Sequence, residues 1–404
     1  VILALEYQRS PARYLVARGV TSTAPGARLA GMVAGNVAPL RLMNRPAPDL
    51  PGAGWTRLAP RLSGVCGSDL GLLAGQSSPY LSPMTSMPFV PGHEIVAETL
   101  DELPDLPTGS RVVVDPVLSC EPRGTGTCRW CAEGRTSRCD HVTTGALSAG
   151  LQTGFCADTG GGWSKQLVAH RSQLHVVPDD LADERAVLVE PLACAVHSAR
   201  RVPLPPDATV AVVGAGTVGL LTLLALREIA PTARVHVVAK HRHQQEHARD
   251  LGAAAVHAPD RATRALRRST SARMHVPERG SEFLLGGVDV AFECTGSASG
   301  LDTALRLVRA GGTVVLSGLP TGKVDLTPVW YRELSLVGAY ASDGGGGDGA
   351  RPDFVEALEL AAVAPLDGWV EPAYPLARWR EALGHATEAG RLGSIKIAFD
   401  PRRD

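Results

Sequence analysis

Lysine is almost missing from this chain of 404 residues: only Lys165, Lys240, Lys323 and Lys396 occur. Arginine makes up the balance, so that 40 Lys+Arg face 41 Asp+Glu and the formal charge is −1. Without surplus positive charge the chain lacks the field that draws a protein to nucleic acid or to an anionic membrane. Aromatic residues are scarce at 4%, which argues against a platform for stacked bases. No basic residue precedes the short apolar run of VILALEYQRSPAR, so the start does not read as a signal peptide. The uncharged stretch Ala208–Leu226 is long enough to span a bilayer. Gly214, Gly216 and Gly219 interrupt it, however, and it reads as a buried strand–turn–helix rather than a membrane span.

What is present is an ordinary globular balance, 44% apolar and 20% charged, in a length that suggests two or three domains at roughly 150 residues each. Residues 1–199 are rich in Gly, Pro and short apolar runs such as RVVVDPV (111–117) and SKQLVAH (164–170), which read as strands of an all-β domain. From Ala208 the pattern alternates: ATVAVVG, TVGLLTLLALREIA, ARVHVVA and QQEHARDLGA are strand, helix, strand, helix. VDVAFECTG, LDTALRLVRAGG and TVVLSGL continue the series, which implies a parallel sheet covered by helices on both faces. The run DGGGGDGA (343–350) punctuates the chain, and Pro352 suits the first turn of a following helix. The tail SIKIAF (394–399) is a strand expected to return to the first domain. The expected boundaries are 1–199, 200–341 and 342–404. The Arg-rich segment 261–273 reads as a solvated helix face.

Gly214-Ala215-Gly216-Thr217-Val218-Gly219 follows a strand and opens a helix. The first Gly makes the tight turn and the second lets backbone approach a pyrophosphate. The third lets helix pack on strand, and the helix N-terminus supplies N–H groups. An NAD site carries Asp or Glu about 20 residues further on, for the ribose hydroxyls. Position 239 is instead Ala, followed by Lys240-His241-Arg242. Two cations and no carboxylate suit a 2′-phosphate, so NADP(H) is expected over NAD(H), with a relaxed NAD site as the alternative.

The cysteines are clustered: four of the eight, Cys120, Cys128, Cys131 and Cys139, lie within one short segment. Four thiolates including a Cys-x2-Cys pair are the ligand set of a closed structural zinc, and they point to a reducing, cytoplasmic setting. A second donor set is scattered: Cys66 in GVCGSD, His93 in GHE, and Glu190 in VEPLAC. Thiolate, imidazole and carboxylate suit a zinc with an exchangeable position, although spacing alone leaves each of them free to be structural.

Taken in order, Cys66-Gly-Ser-Asp69, Pro91-Gly-His-Glu94, the cysteine lobe, Glu190-Pro-Leu, the glycine fingerprint, Glu293-Cys-Thr-Gly296 and Ser394-Ile-Lys396 resemble the zinc-dependent medium-chain dehydrogenase/reductase family. The resemblance runs from Gly64 to Lys396. It implies an α/β fold of two domains: a GroES-like β domain, completed by the C-terminal segment, and a Rossmann doubly wound parallel sheet, with the active site in the cleft between them. Cys66 and His93 match catalytic zinc ligands. Glu94 matches a direct or exchanging ligand, and Glu190 stands where polyol dehydrogenases place a Glu. Asp69 matches the carboxylate that orients the histidine, and Ser68 the hydroxyl that takes the substrate proton. Cys194 matches a position beside the nicotinamide. Thr295 and Ser317 match cofactor-facing strand ends, and Lys396 a basic residue that reaches the pyrophosphate in some members.

The implied activity is hydride transfer between a secondary alcohol or polyol, or its ketone, and NADP(H), with one catalytic and one structural zinc. Reduction of a C=C or C=N bond, and a non-catalytic role, are the alternatives. Relatives pair Rossmann edges into dimers or tetramers, and TVVLSG with ELSLVGAY offers such an edge. Two departures stand out. Seven residues, EPRGTGT, separate Cys120 from Cys128 where the family has two, and the first 60 residues carry an extra stretch near STAPGARLAGMVAG.

Overall fold

The Val-rich runs after Ala208 form strands because β-branched side chains suit a sheet buried on both faces. A computed structural model describes residues 1–23, 30–320, 322–345 and 351–404. Residues 24–29 of the extra N-terminal stretch and 346–350 of the glycine run lie outside the described residues.

Residues Pro191–Ala341 form one unit. Its main sheet is made of Thr209–Val213, Arg234–Val238, Ala255–His257, Val288–Glu293, Val308–Leu316 and Ser335–Gly338, all parallel. Arg273–His275 and Phe283–Leu285 form a separate antiparallel pair outside it. Counted in chain order within the main sheet, its strands lie 3-2-1-4-5-6. The direction of winding reverses between the first and fourth strands, and in such sheets ligands bind beyond the carboxyl ends at that point. Val210, Val212, Val235, Val237, Phe292 and Val314 are buried there.

The other unit combines Val1–Glu190 with Ser342–Asp404. The first segment therefore ends at Glu190 rather than at 199, and the helix Val189–Arg200 spans the boundary. Strand Trp55–Gly64 is the hub of a seven-stranded sheet, pairing antiparallel with Ile95–Thr99, Leu167–His170 and Lys396–Phe399. The tail strand is thus inside this sheet, with Ala398 opposite Gly64.

The all-β reading of residues 1–199 is corrected by helices Pro11–Thr21, Ala30–Asn36 and Gly67–Leu73. Reading apolar runs as strands passed over the Ser10-Pro11 start signal, in which Ser sits at the N-cap and Pro at the first helical position. Pro352 is likewise the N-cap of Asp353–Val363 rather than part of its first turn.

Candidate active site

Strand Trp55–Gly64 delivers the chain to Cys66, the N-cap of helix Gly67–Leu73. The Cys66 N–H donates to Asp69 Oδ2 at 3.0 Å, closing the first turn. Asp69 is fully buried, and its Oδ1 stands 3.6 Å from His93 Nδ1. That is an ion-pair distance, too long for a hydrogen bond, and both atoms are buried without a partner. His93 follows Gly92, whose φ of +96° and lack of a Cβ make room for the Trp163 indole. Gly64 is equally constrained, since a Cβ there would run into the Glu94 carboxylate. Ser68 is exposed on the first turn of the helix.

One ligand atom each from Cys66, His93 and Glu94 lie within 4.8 Å of one another. A sulfur, a nitrogen and an oxygen with a fourth position free is the donor set of a catalytic zinc. Burial works against a charged His93, yet the Asp69 carboxylate, the Cys66 sulfur and Glu190 outweigh it and hold the imidazole's pKa well above its ordinary value. Asp69, Cys66 and Glu190 are the negative groups around the ring that a divalent cation would neutralise. The orphaned Asp69–His93 pair fits the same reading: a ring nitrogen turned to a carboxylate leaves the other nitrogen for a metal.

Lys396 is placed on this site and not on an exposed phosphate-binding surface. Its ammonium donates to both Glu94 oxygens at 2.6 Å and to Val65 O at 3.4 Å, with side chains 4% and 1% exposed. A cation committed in this way is not available to a pyrophosphate. Glu190 is 6% exposed and its charge acts on both His93 and Lys396, but it lies outside the tight three-atom group.

In the cysteine lobe the four sulfurs lie within 4.8 Å of one another despite the long first spacing. Cys120 Sγ is 3.6 Å from Cys139 Sγ and accepts the Cys128 N–H at 3.3 Å. Burial raises the Cys128 thiol, but N–H groups of Asp140 and Cys131 aimed at its sulfur bring it down to about 6. The inserted EPRGTGT closes the gap through Arg123, which is fully buried. Its guanidinium donates to the carbonyls of Leu118, Thr144, Leu147, Ser148 and Gly150 at 2.7–3.2 Å. His141, which sequence reasoning also missed, sets Nδ1 3.3 Å from Cys120 Sγ and 3.1 Å from Thr125 Oγ1. Its position two residues after Cys139 was the available signal.

In the other unit, Gly214 has a φ of +100°, and a Cβ would stand 2.6 Å from Thr295 Cγ2. A Cβ on Gly219 would run into Gly214 O, whereas one on Gly216 would meet nothing within 4 Å. Close packing at the first and third glycines with open space at the second is what a pyrophosphate needs. Thr217 and Val218 begin the helix Thr217–Ile229 that Gly216 caps. Thr295 and Ser317 are held by Glu293. Its carboxylate accepts the Thr295 N–H at 2.8 Å, the Gly296 N–H at 3.1 Å and the Thr295 hydroxyl, and its main-chain oxygen accepts the Ser317 N–H at 3.0 Å. Lys240 is exposed beyond the second strand, and the Arg242 side chain, 92% exposed, pairs with Glu246 one turn on, at 2.8 Å. An ion pair this exposed is worth little and is readily exchanged for another anion.

These features define a zinc-dependent, nicotinamide-linked oxidoreductase built from a GroES-like unit and a Rossmann unit. Residues 52–179 match the alcohol dehydrogenase GroES-like domain, and residues 217–362 match the zinc-binding dehydrogenase domain. The chain is 30% identical over 284 residues to L-idonate 5-dehydrogenase of Vitis vinifera, covering 69% of this chain and 70% of that one. It is 29% identical over 295 residues to sorbitol dehydrogenase of Arabidopsis thaliana, covering 70% and 73%. A zinc-binding dehydrogenase of Sinorhizobium meliloti 1021, solved with NADP bound, shares the fold with a TM-score of 0.70 at 23% identity, covering 99% of this chain and all of that one. The chain belongs to the zinc-dependent medium-chain dehydrogenase/reductase family, among its alcohol and polyol dehydrogenases acting on CH–OH donors.

Proposed function

We propose that this protein oxidises a secondary alcohol or polyol, or reduces the matching ketone, with NADP(H) as its hydride partner and two zinc ions per chain. The observation that carries the reading is the meeting of Cys66, His93 and Glu94 donor atoms within 4.8 Å. Cys66, His93 and Glu94 hold the catalytic ion, with Glu190 as a buried charge behind them, and the four-cysteine lobe holds the structural one. Zinc, when bound, supplies Lewis-acid stabilisation of negative charge on the substrate oxygen. Asp69 sets the ring of His93. Lys396 neutralises Glu94, so that the carboxylate is present at the site without its full charge. Ser68, exposed beside the cap residue, takes the substrate's hydroxyl proton and passes it to solvent. The fingerprint residues Gly214, Gly216 and Gly219 would hold the dinucleotide, which would supply the hydride donor or acceptor.

Small alcohols related to those named for the idonate and sorbitol relatives are the first substrates to try. The test is an oxidation screen with NADP+ and NAD+ over sugar alcohols, cyclitols and simple secondary alcohols, with zinc measured alongside. Activity that survives full zinc removal from an intact fold would refute the role of the metal. Ser68→Ala is expected to lower kcat about 100-fold with little change in zinc content, because only proton transfer is lost. Steady-state kinetics with metal analysis checks both.

The cofactor choice rests on Ala239, Lys240 and Arg242. Replacing both cations by Ala is expected to raise the KM for NADP+ roughly 10- to 100-fold, the size of one or two charge-assisted contacts. The KM for NAD+ should hardly move, and a wild type that prefers NAD+ sinks the choice. Strand Ser335–Gly338 ends its sheet with one hydrogen-bonded neighbour, and Leu336 is 38% exposed. That edge is the proposed contact of a homodimer or tetramer, and light scattering tests it. A cytoplasmic setting is part of the same proposal, supported by sites that need reduced thiols. No helix among the described residues is long and apolar enough to cross a membrane.

A further inference from the structure

Strands Ile2–Tyr7 and Leu40–Arg45 pair antiparallel, with Tyr7 opposite Leu40, a geometry that a short turn can close. Here a long insertion joins them, containing helices Pro11–Thr21 and Ala30–Asn36. It lies outside both matched family domains, the first of which begins at residue 52.

The first inserted helix rests on the far end of the Gly67–Leu73 helix. Thr21 Oγ1, 3% exposed, is 2.7 Å from Ala74 O, and the Tyr14 hydroxyl donates to Ser77 O at 2.8 Å. Between them Gly75 has a φ of +70°, and an added Cβ would stand 2.7 Å from Arg18 N and 2.8 Å from Tyr14 O. The opposite end of the gripped helix carries Cys66, Ser68 and Asp69. A helix of that size is about 10 Å long and too short to be stable alone, so its neighbours decide where it lies. Movement at Ala74 is passed along a stiff rod to Cys66. Tolerance there is small, because Asp69 Oδ1 and His93 Nδ1 already stand 3.6 Å apart.

The second inserted helix packs on Trp379–Leu392. A Cβ on Gly31 would stand 3.1 Å from Gly384 Cα, and Arg380 Nε donates to Gly35 O at 2.9 Å. That C-terminal helix ends at left-handed Gly393 and leads into Lys396. The insertion therefore touches the elements that carry both the thiol and the ammonium of the site.

We propose that helix Pro11–Thr21 is a positioning element of the active site: by gripping Ala74–Ser77 it fixes the Gly67–Leu73 helix, so that Cys66, Ser68 and Asp69 keep their place against His93. The proposal rests on the zinc-site reading above. Its test is the double variant Tyr14→Phe/Thr21→Val, which removes both hydrogen bonds to Ala74–Ser77, together with the Thr21 contact to Ala17 O in its own helix, while keeping side-chain size, with Tyr14→Phe alone as the milder member. Zinc release to a chelator is followed, with the zinc of the four-cysteine lobe as internal reference. The double variant should release the labile zinc about tenfold faster and lose about tenfold in kcat, with lobe zinc and the KM for dinucleotide unchanged. Tyr14→Phe should fall between it and wild type. Release rates and kcat within twofold of wild type, whatever happens to the melting temperature, overturn the proposal. If the wild type holds a labile zinc but oxidises no alcohol, the functional reading fails, while the release rates still decide this one. A wild type holding only lobe zinc overturns both.

Discussion

Cys66→Ala is expected to abolish turnover while leaving the protein folded and the lobe zinc in place. Cys66 is half-buried at a helix cap, and its backbone N–H makes the 3.0 Å hydrogen bond to Asp69 Oδ2. Alanine keeps that bond, so the first turn of the helix should survive. What disappears is the only sulfur among the three donors, and with it the soft ligand that favours zinc over hard cations. Losing the Lewis acid forfeits several kcal/mol of transition-state stabilisation, or about a thousandfold or more in kcat/KM. Metal analysis should show one zinc per chain instead of two, with thermal melting close to wild type. Two zincs and wild-type rates in the variant would remove Cys66 from the mechanism.

Lys396→Met is expected to have the largest effect on stability, and the effect should depend on metal. Breaking one side of a buried ion pair leaves the other charge uncompensated, at about 3–5 kcal/mol. Glu94 is that remaining charge, with its carboxylate 1% exposed. In metal-free protein the full loss should appear in denaturant unfolding. In zinc-loaded protein it should be smaller, because the cation takes over neutralising Glu94. The double variant Glu94→Gln/Lys396→Met should recover much of the loss, since neither charge then needs a partner. Burial disfavours the Lys396 ammonium, but Glu94, Cys66 and Glu190 more than compensate and hold its pKa above the ordinary 10.5. The ammonium's contribution to stability is therefore present at neutral pH and is lost as pH rises through the elevated value. Equal unfolding free energies for wild type and Lys396→Met, with and without zinc, would show that the pair contributes nothing.

The parts of the molecule that were legible in the sequence are those whose signal is local. The Rossmann strands announce themselves as valine runs, and the fingerprint glycines are held to three different steric tasks within six residues. The cysteine lobe was legible through density alone. What could not be read is what depends on distant partners. Lys396 reads, by resemblance, as a cation for the pyrophosphate until the tail strand sets it against Glu94, 302 residues away. Arg123 sits in a glycine-rich insertion that reads as loop, yet it is fully buried because five carbonyls converge on it. The N-terminal helices were missed for a different reason. Apart from the Ser10-Pro11 start signal, their short apolar segments carry no clear period, and tertiary packing on Gly75 and Gly384 outweighs their weak local preference.

The tail strand has a consequence for how the protein is made. Strand Lys396–Phe399 pairs with Trp55–Gly64 and brings Lys396 to Glu94, so this sheet is complete only once residues 396–399 exist. The dinucleotide unit, by contrast, is one uninterrupted stretch from Pro191 to Ala341, and domains emerging in order can fold as units during synthesis. A nascent chain on the ribosome can therefore finish its cofactor unit first, while the half-built catalytic sheet waits with an open place beside Trp55–Gly64. Emergence of Lys396–Phe399 is the event that closes it, so this sheet is finished only after the dinucleotide unit has been made.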